Sequence, residues 1–138
     1  MKVFVDTSAW IALADKADPQ HSVAHNLWSH LMEASAELVT TNYVMVETIA
    51  VLQRRLGMEA VRAFLTSVAH LDIGWVDDLL HQAGIQQFVA ANRRSLSLVD
   101  CVSFEFMRRS NIRIAFCFDT HFSEAGFEML AESHFETT

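Results

Sequence analysis

The chain has 138 residues, 51% of them apolar and 20% charged. This composition argues against a disordered adaptor and suits a single domain over 1–138 with a core large enough to fold alone. The formal charge is −7, from 17 acidic against 10 basic residues, which argues against general electrostatic adhesion to nucleic acid. Setting aside the four acids discussed below leaves 13 against 10, so the rest of the surface is only mildly acidic and a nucleic-acid substrate stays open.

In chain order, Lys2–Val5 reads as a short buried strand ending at Asp6, and Thr7 and Ser8 supply capping hydroxyls for a helix over Ala9–Ala14. Asp18-Pro19 signals a helix start, and Val23, Leu27 and Leu31 with Ala24 and Trp28 place an apolar stripe on a helix near 20–34. A brief strand at Glu37–Thr41 follows, then a helix capped by Asn42 and running to about Leu56, with Gly57 at its exit. Val61, Leu65 and Val68 put a helix on Met58–Ala69. Leu71–Val76 is extended, and Asp77 and Asp78 suit the first turn of a helix ending near Asn92. Ser97 begins a further helix to about Ser110, and Arg113–Phe118 is the last strand.

Strands thus alternate with helices and hairpin signals are missing, which predicts an α/β sandwich with a mainly parallel sheet. Ligands of such sheets collect beyond the carboxyl ends of the strands. Asp6 and Asp119 each stand at such an end. Cys101 and Cys117 lie in apolar runs without metal-site spacing and read as buried hydrophobes in a reducing compartment. The N-terminal apolar run is broken by Asp6, and no run approaches the roughly 20 residues of a membrane span. The expected location is the cytoplasm.

Four acids, Asp6, Glu47, Asp100 and Asp119, sit in or beside apolar runs. Each also has a structural reading: Asp6 and Asp119 as cap or turn residues, Asp100 as the acid of the capping box Ser97-Leu98-Val99-Asp100, Glu47 as the partner of a distant arginine. Along its own helix Glu47 meets only Tyr43, Val44, Ala50 and Val51, read as a buried side without a cation. Buried carboxylates must be paired, protonated or coordinated, and one bound metal answers for all four. An oxygen-rich set without Cys or His suits one or two Mg²⁺ or Mn²⁺ ions. The expected chemistry is metal-assisted attack of water on a phosphodiester.

Weaker signals complete the reading. His21 and His25 have a zinc-compatible spacing but no third ligand, and read as a solvated face. His121 is a candidate substrate contact, and Arg93-Arg94 are the first candidates for phosphate contacts. Arg54-Arg55 and Arg108-Arg109 read as ordinary helix-end charges.

The order of motifs, Val3-Phe4-Val5-Asp6-Thr7-Ser8, the helical Glu47, Leu98-Val99-Asp100, and Phe118-Asp119-Thr120-His121-Phe122, resembles the PIN-domain nucleases, particularly VapC-type toxins of prokaryotic toxin–antitoxin pairs, over nearly the whole chain. The resemblance implies a three-layer α/β/α sandwich and an Mg²⁺- or Mn²⁺-dependent endoribonuclease. It makes Asp6, Glu47, Asp100 and Asp119 both catalytic residues and metal ligands, with Thr7 and Ser8 orienting the first acid. It further implies a homodimer acting on RNA and an antitoxin whose basic tail enters the acidic groove. Cys117 departs from the pattern, standing where many relatives carry Thr or Ser, and a thiol is a poorer donor for ordering Asp119. The rival reading is a PIN-like binding or regulatory module with weak or no catalysis. A haloacid-dehalogenase-type phosphotransferase needs an Asp where Ser8 stands, and a receiver domain needs a late lysine, whereas the lysines here are Lys2 and Lys16.

Overall fold

The structure, a computed structural model, describes residues 1–136. Its elements are β1 (Lys2–Val5), α1 (Thr7–Ala14), α2 (His21–Glu33), β2 (Glu37–Thr41), α3 (Asn42–Arg55), α4 (Met58–Val68), β3 (Asp72–Gly74), α5 (Asp78–Ala91), α6 (Leu98–Arg109), β4 (Ile114–Phe116), α7 (His121–Glu124) and β5 (Glu128–Met129), followed by a 3-10 turn at Glu132–Phe135. The strands form one sheet in the order β3-β2-β1-β4-β5. Every pairing is parallel, with Phe4 opposite Val39 on one side and Ala115 on the other. The sheet is therefore wholly rather than mainly parallel.

β1 takes the centre because both of its faces are apolar. Side chains alternate along a strand, and Val3, Phe4 and Val5 are all fully buried, so helices cover the sheet on both sides as in an α/β/α sandwich. Phe4 meets Phe106 of α6 and Phe122 of α7 at ring distances of 5.9 and 6.3 Å. Trp10 of α1 packs edge-on against Phe64 of α4 at 5.0 Å. Among the described residues no helix is long and apolar enough to cross a membrane.

The chain builds β1, β2 and β3 outward on one side, then returns to lay β4 on the free edge of β1. This reversal opens a crevice at the carboxyl ends of β1 and β4. The Asp6 amide still donates to Phe116 O at 3.0 Å, so pairing runs up to the first acid and stops there.

Local chemistry corrects several sequence expectations. Asp6, not Thr7 or Ser8, caps α1, accepting from the Ser8 amide at 3.1 Å, and both hydroxyl residues lie inside the first turn. Thr41 caps α3 through the Val44 amide at 3.2 Å. Asn42 instead accepts from the Val76 amide at 2.7 Å, tying the start of α3 to the segment after β3. The expected strand Arg113–Phe118 pairs only over Ile114–Phe116, because the Phe118 amide donates to Ser8 Oγ at 3.0 Å and leaves the ladder. β5 and α7, of two and four residues, are too short to show a period in sequence. Gly57 exits α3 at φ +91°, its amide bonded to Leu52 O at 3.0 Å, a left-handed position that suits glycine. The histidines at 21 and 25 hold carbonyls at the end of α1, Nδ1 of His21 on Ala12 O at 2.8 Å and Nε2 of His25 on Leu13 O at 3.2 Å, and among the described residues no third ligand gathers with them.

Candidate active site

Each acid reaches the crevice from a different element. Asp6 follows the central strand, is 3% exposed, and takes both the Ser8 amide (3.1 Å) and the Ser8 hydroxyl (2.7 Å) on Oδ2. Its Oδ1 is left for a ligand. The Ser8 hydroxyl oxygen also accepts the Phe118 amide, so one serine fixes the first acid and the segment leading to the last one. Asp100 is the third residue of α6 and closes a reciprocal box with Ser97: the Asp100 amide donates to Ser97 Oγ at 3.0 Å, and the Ser97 amide to Asp100 Oδ2 at 3.1 Å. The capping reading and the site reading of Asp100 are thus the same geometry. Asp119 lies beyond β4, its side chain 34% exposed, with Oδ1 accepting the His121 amide at 2.9 Å.

Glu47 sits on α3 at the border of the core rather than within it: Val44 is buried, but Ala50 is exposed. Thr7, expected beside Asp6, turns its hydroxyl to Glu47. It accepts in turn from Thr48 Oγ1 at 3.3 Å. Among the described residues no arginine pairs with Glu47, and the only ion-pair contacts to any of the four acids come from His121.

Burial and mutual repulsion make these groups hard to ionise together. Burial pushes Asp6 up to about 7, against the two Ser8 hydrogen bonds, with Asp100 and Glu47 adding to the rise. Burial also raises Glu47, reinforced by Asp100 and Asp119 and opposed by Thr7. Asp100 is raised by burial and by Asp119, against Ser97 and His121. Acids on β1, α3, α6 and the β4 exit thus feel one another's charge. Burial pushes the Cys117 thiol up, and the charge of Asp6 adds to the rise.

The four acids line one open groove of roughly 510 Å³, together with Asp18, Gln20, Ser95, Ser97 and Arg55. Its donor chemistry fits a divalent ion: hard carboxylate oxygens with no lysine among the lining residues. Asp100, Asp119 and His121 each place one ligand atom within 4.8 Å of the others. His121 Nδ1 is buried without a hydrogen-bond partner, a second feature that fits a cation here.

Two sequence candidates lie elsewhere. Arg93 pairs with Glu124 at 3.1 Å, and neither it nor Arg94 lines the groove. The cation that does is Arg55, read from sequence as an ordinary helix-end charge. Its signal was its spacing, two helical turns after Glu47 and so on the same face of α3. His121, a candidate substrate contact, stands against two of the acids, Asp119 and Asp100.

The chain as a whole is similar to known proteins. The family model for the PIN domain matches residues 3–128. The 23S rRNA-specific endonuclease VapC20 of Mycobacterium tuberculosis, in strains CDC 1551 / Oshkosh and H37Rv, is 36% identical over 129 residues, covering 91% of this chain and 95% of the relative. The crystal structure of Mycobacterium tuberculosis VapC20, a toxin that cleaves the sarcin–ricin loop, superposes with a TM-score of 0.79 at 34% identity, covering 91% of this chain and 95% of that one. This chain belongs to the PIN-domain family, in its VapC-type group.

Proposed function

We propose that this chain is a divalent-metal-dependent endoribonuclease that hydrolyses RNA phosphodiester bonds in the cytoplasm. We further propose that it is the toxin of a toxin–antitoxin pair, its activity carried by residues 1–138 as one domain. The observation that carries the reading is the convergence of Asp6, Glu47, Asp100 and Asp119 on one groove, where burial and like charge raise three of them and, among the described residues, no lysine or arginine forms an ion pair with any of them. In this reading the four acids hold one or two ions, Mg²⁺ or Mn²⁺. When bound, the ion supplies Lewis acidity for the phosphate and a stronger nucleophile from water.

The chain's own residues supply order. Ser8 holds Oδ2 of Asp6 and so aims Oδ1. Ser97 fixes Asp100 through the helix start, and Thr7 restrains Glu47. Arg55, at the groove wall, offers a guanidinium to a backbone phosphate. The activity of VapC20 makes the sarcin–ricin loop of large-subunit ribosomal RNA the first substrate to try. An antitoxin with a basic tail fits the same groove, since its cations relieve the same repulsion that an ion relieves. A homodimer is supported by Trp75, Leu79 and Val46, which are 73%, 74% and 69% exposed. The Asn42–Val76 hydrogen bond sets the Trp75 segment beside the start of α3, and such apolar exposure marks contact surfaces.

The test is cleavage of a sarcin–ricin loop oligonucleotide, beside unrelated folded and single-stranded RNAs, with Mg²⁺, Mn²⁺ or chelator. Cutting that needs metal and is lost in Asp6→Asn supports the proposal. A folded, metal-bound protein that cuts none of these RNAs would sink it in favour of a binding module.

A further inference from the structure

His121 is held more firmly than a substrate-contacting loop residue needs to be. Its amide is bonded to Asp119 Oδ1 at 2.9 Å. The next residue, Phe122, is fully buried and packs edge-on against Phe104 at 5.0 Å. The imidazole is itself only 14% exposed, and its Nδ1 stands 3.0 Å from Asp119 Oδ1 and 3.5 Å from Asp100 Oδ2. Neither approach is a hydrogen bond, and Nδ1 is left buried without a hydrogen-bond partner, although buried polar atoms are almost always satisfied. Adjacent ligands of an octahedral ion with bonds of about 2.1 Å lie about 3 Å apart. The 3.0 Å spacing of Nδ1 from Asp119 matches that value and the 3.5 Å spacing from Asp100 lies somewhat beyond it, with the ligand atoms of all three residues within 4.8 Å of one another.

Resting on the metal-dependent reading above, we infer that His121 Nδ1 is itself a ligand of the ion, completing a mixed nitrogen–oxygen site with Asp100 and Asp119. An imidazole nitrogen is a poor partner for Mg²⁺, which prefers oxygen, and a good one for transition ions. Mn²⁺, the transition ion most at home among carboxylates, is the ion this combination favours. The nitrogen donor also accounts for His121 lying in contact with two acids it does not hydrogen-bond.

The experiment is pulsed electron paramagnetic resonance on the Mn²⁺-loaded full chain, at natural abundance and with ¹⁵N-labelled histidine, beside Mn²⁺ and Mg²⁺ titrations of wild type and His121→Asn. The expected result is a coordinated-nitrogen signal in wild type that changes with the ¹⁵N label and is absent from the variant. The Mn²⁺ dissociation constant should rise about 10-fold or more in the variant, at least what an outer-shell partner of a metal contributes, with a much smaller change for Mg²⁺. The label reads the wild-type protein, so the assignment does not depend on the variant folding. Saturable Mn²⁺ binding without a histidine nitrogen signal, or a signal that persists in folded His121→Asn, would overturn the role of His121 and leave the nuclease reading standing. No saturable Mn²⁺ binding by wild type would overturn both.

Discussion

Replacing Asp6 by Asn should make the metal-free protein more stable, by an amount set by pH. Burial moves the Asp6 carboxyl from 3.8 to about 7. Between those values the folded state keeps a proton that the unfolded chain has released, so stability falls as pH rises through that window and levels off above it. At about 1.4 kcal/mol per pH unit, the folded protein at pH 8 bears roughly 4 kcal/mol of penalty from this one group. Asn removes the ionisation and keeps an oxygen for the Ser8 amide and hydroxyl. Its advantage should be near zero at pH 4 and approach about 4 kcal/mol at pH 8, or a rise of roughly 10 °C in Tm for a domain of this size. Urea and thermal unfolding followed by circular dichroism, in chelator from pH 4 to 8, measures the difference directly. Added Mn²⁺ at 100 times its Kd should narrow the gap by about 3 kcal/mol, because binding stabilises only the protein that holds the ion. A variant no more stable than wild type at pH 8 without metal would show that Asp6 is not a frustrated buried charge, and the electrostatic case for the ion would fall with it.

Other perturbations separate the parts of the site. Ser8→Ala leaves the Phe118 amide without its acceptor and Asp6 without its hydroxyl donor. It should cost about 1–3 kcal/mol in denaturant unfolding and weaken Mn²⁺ binding about 10- to 100-fold by titration calorimetry; unchanged binding would remove Ser8 from the site's support. Arg55→Ala should weaken RNA binding across sequences and lower the salt slope by about 1, with metal affinity unchanged, as read by filter binding at several salt concentrations. Gly84→Ala would put a Cβ 2.4 Å from Val102 Cγ2 where α5 meets α6. It should therefore destabilise by about 1–3 kcal/mol, although alanine is the better helix former; a stabilised variant would show that the helices separate easily. Trp75→Glu should shift the proposed homodimer to monomer in sedimentation; a wild type that sediments as a monomer would refute the dimer, and a dimer unaffected by the change would place the interface elsewhere.

The alternation of strands and helices was legible because hydrophobic periodicity is local, and each long helix lies within a few residues of its expected span. The acids were legible for a related reason: Asp6, Glu47, Asp100 and Asp119 interrupt apolar runs, and a carboxylate there demands a partner wherever the chain goes. Even the capping box of Asp100 could be read from four consecutive residues. Caps were harder, since Asp6 won over neighbouring hydroxyl residues and Thr41 over Asn42, the better capping type, only once the turn geometry was set.

What needed the tertiary structure was everything that depends on which strands become neighbours. That β4 returns to the edge of β1 is decided by burial of both faces of the central strand. Only that return brings Asp119 to Asp6, points the Phe118 amide at Ser8, and sets His121 Nδ1 between two carboxylates. Arg55 entered the groove, and Arg93 left it for Glu124, for the same reason. Residue types and local spacing determined what chemistry this chain can perform. The distances between charges, and with them the raised proton affinity of Asp6, exist only through contacts between distant segments and were decided by the packing of the sheet.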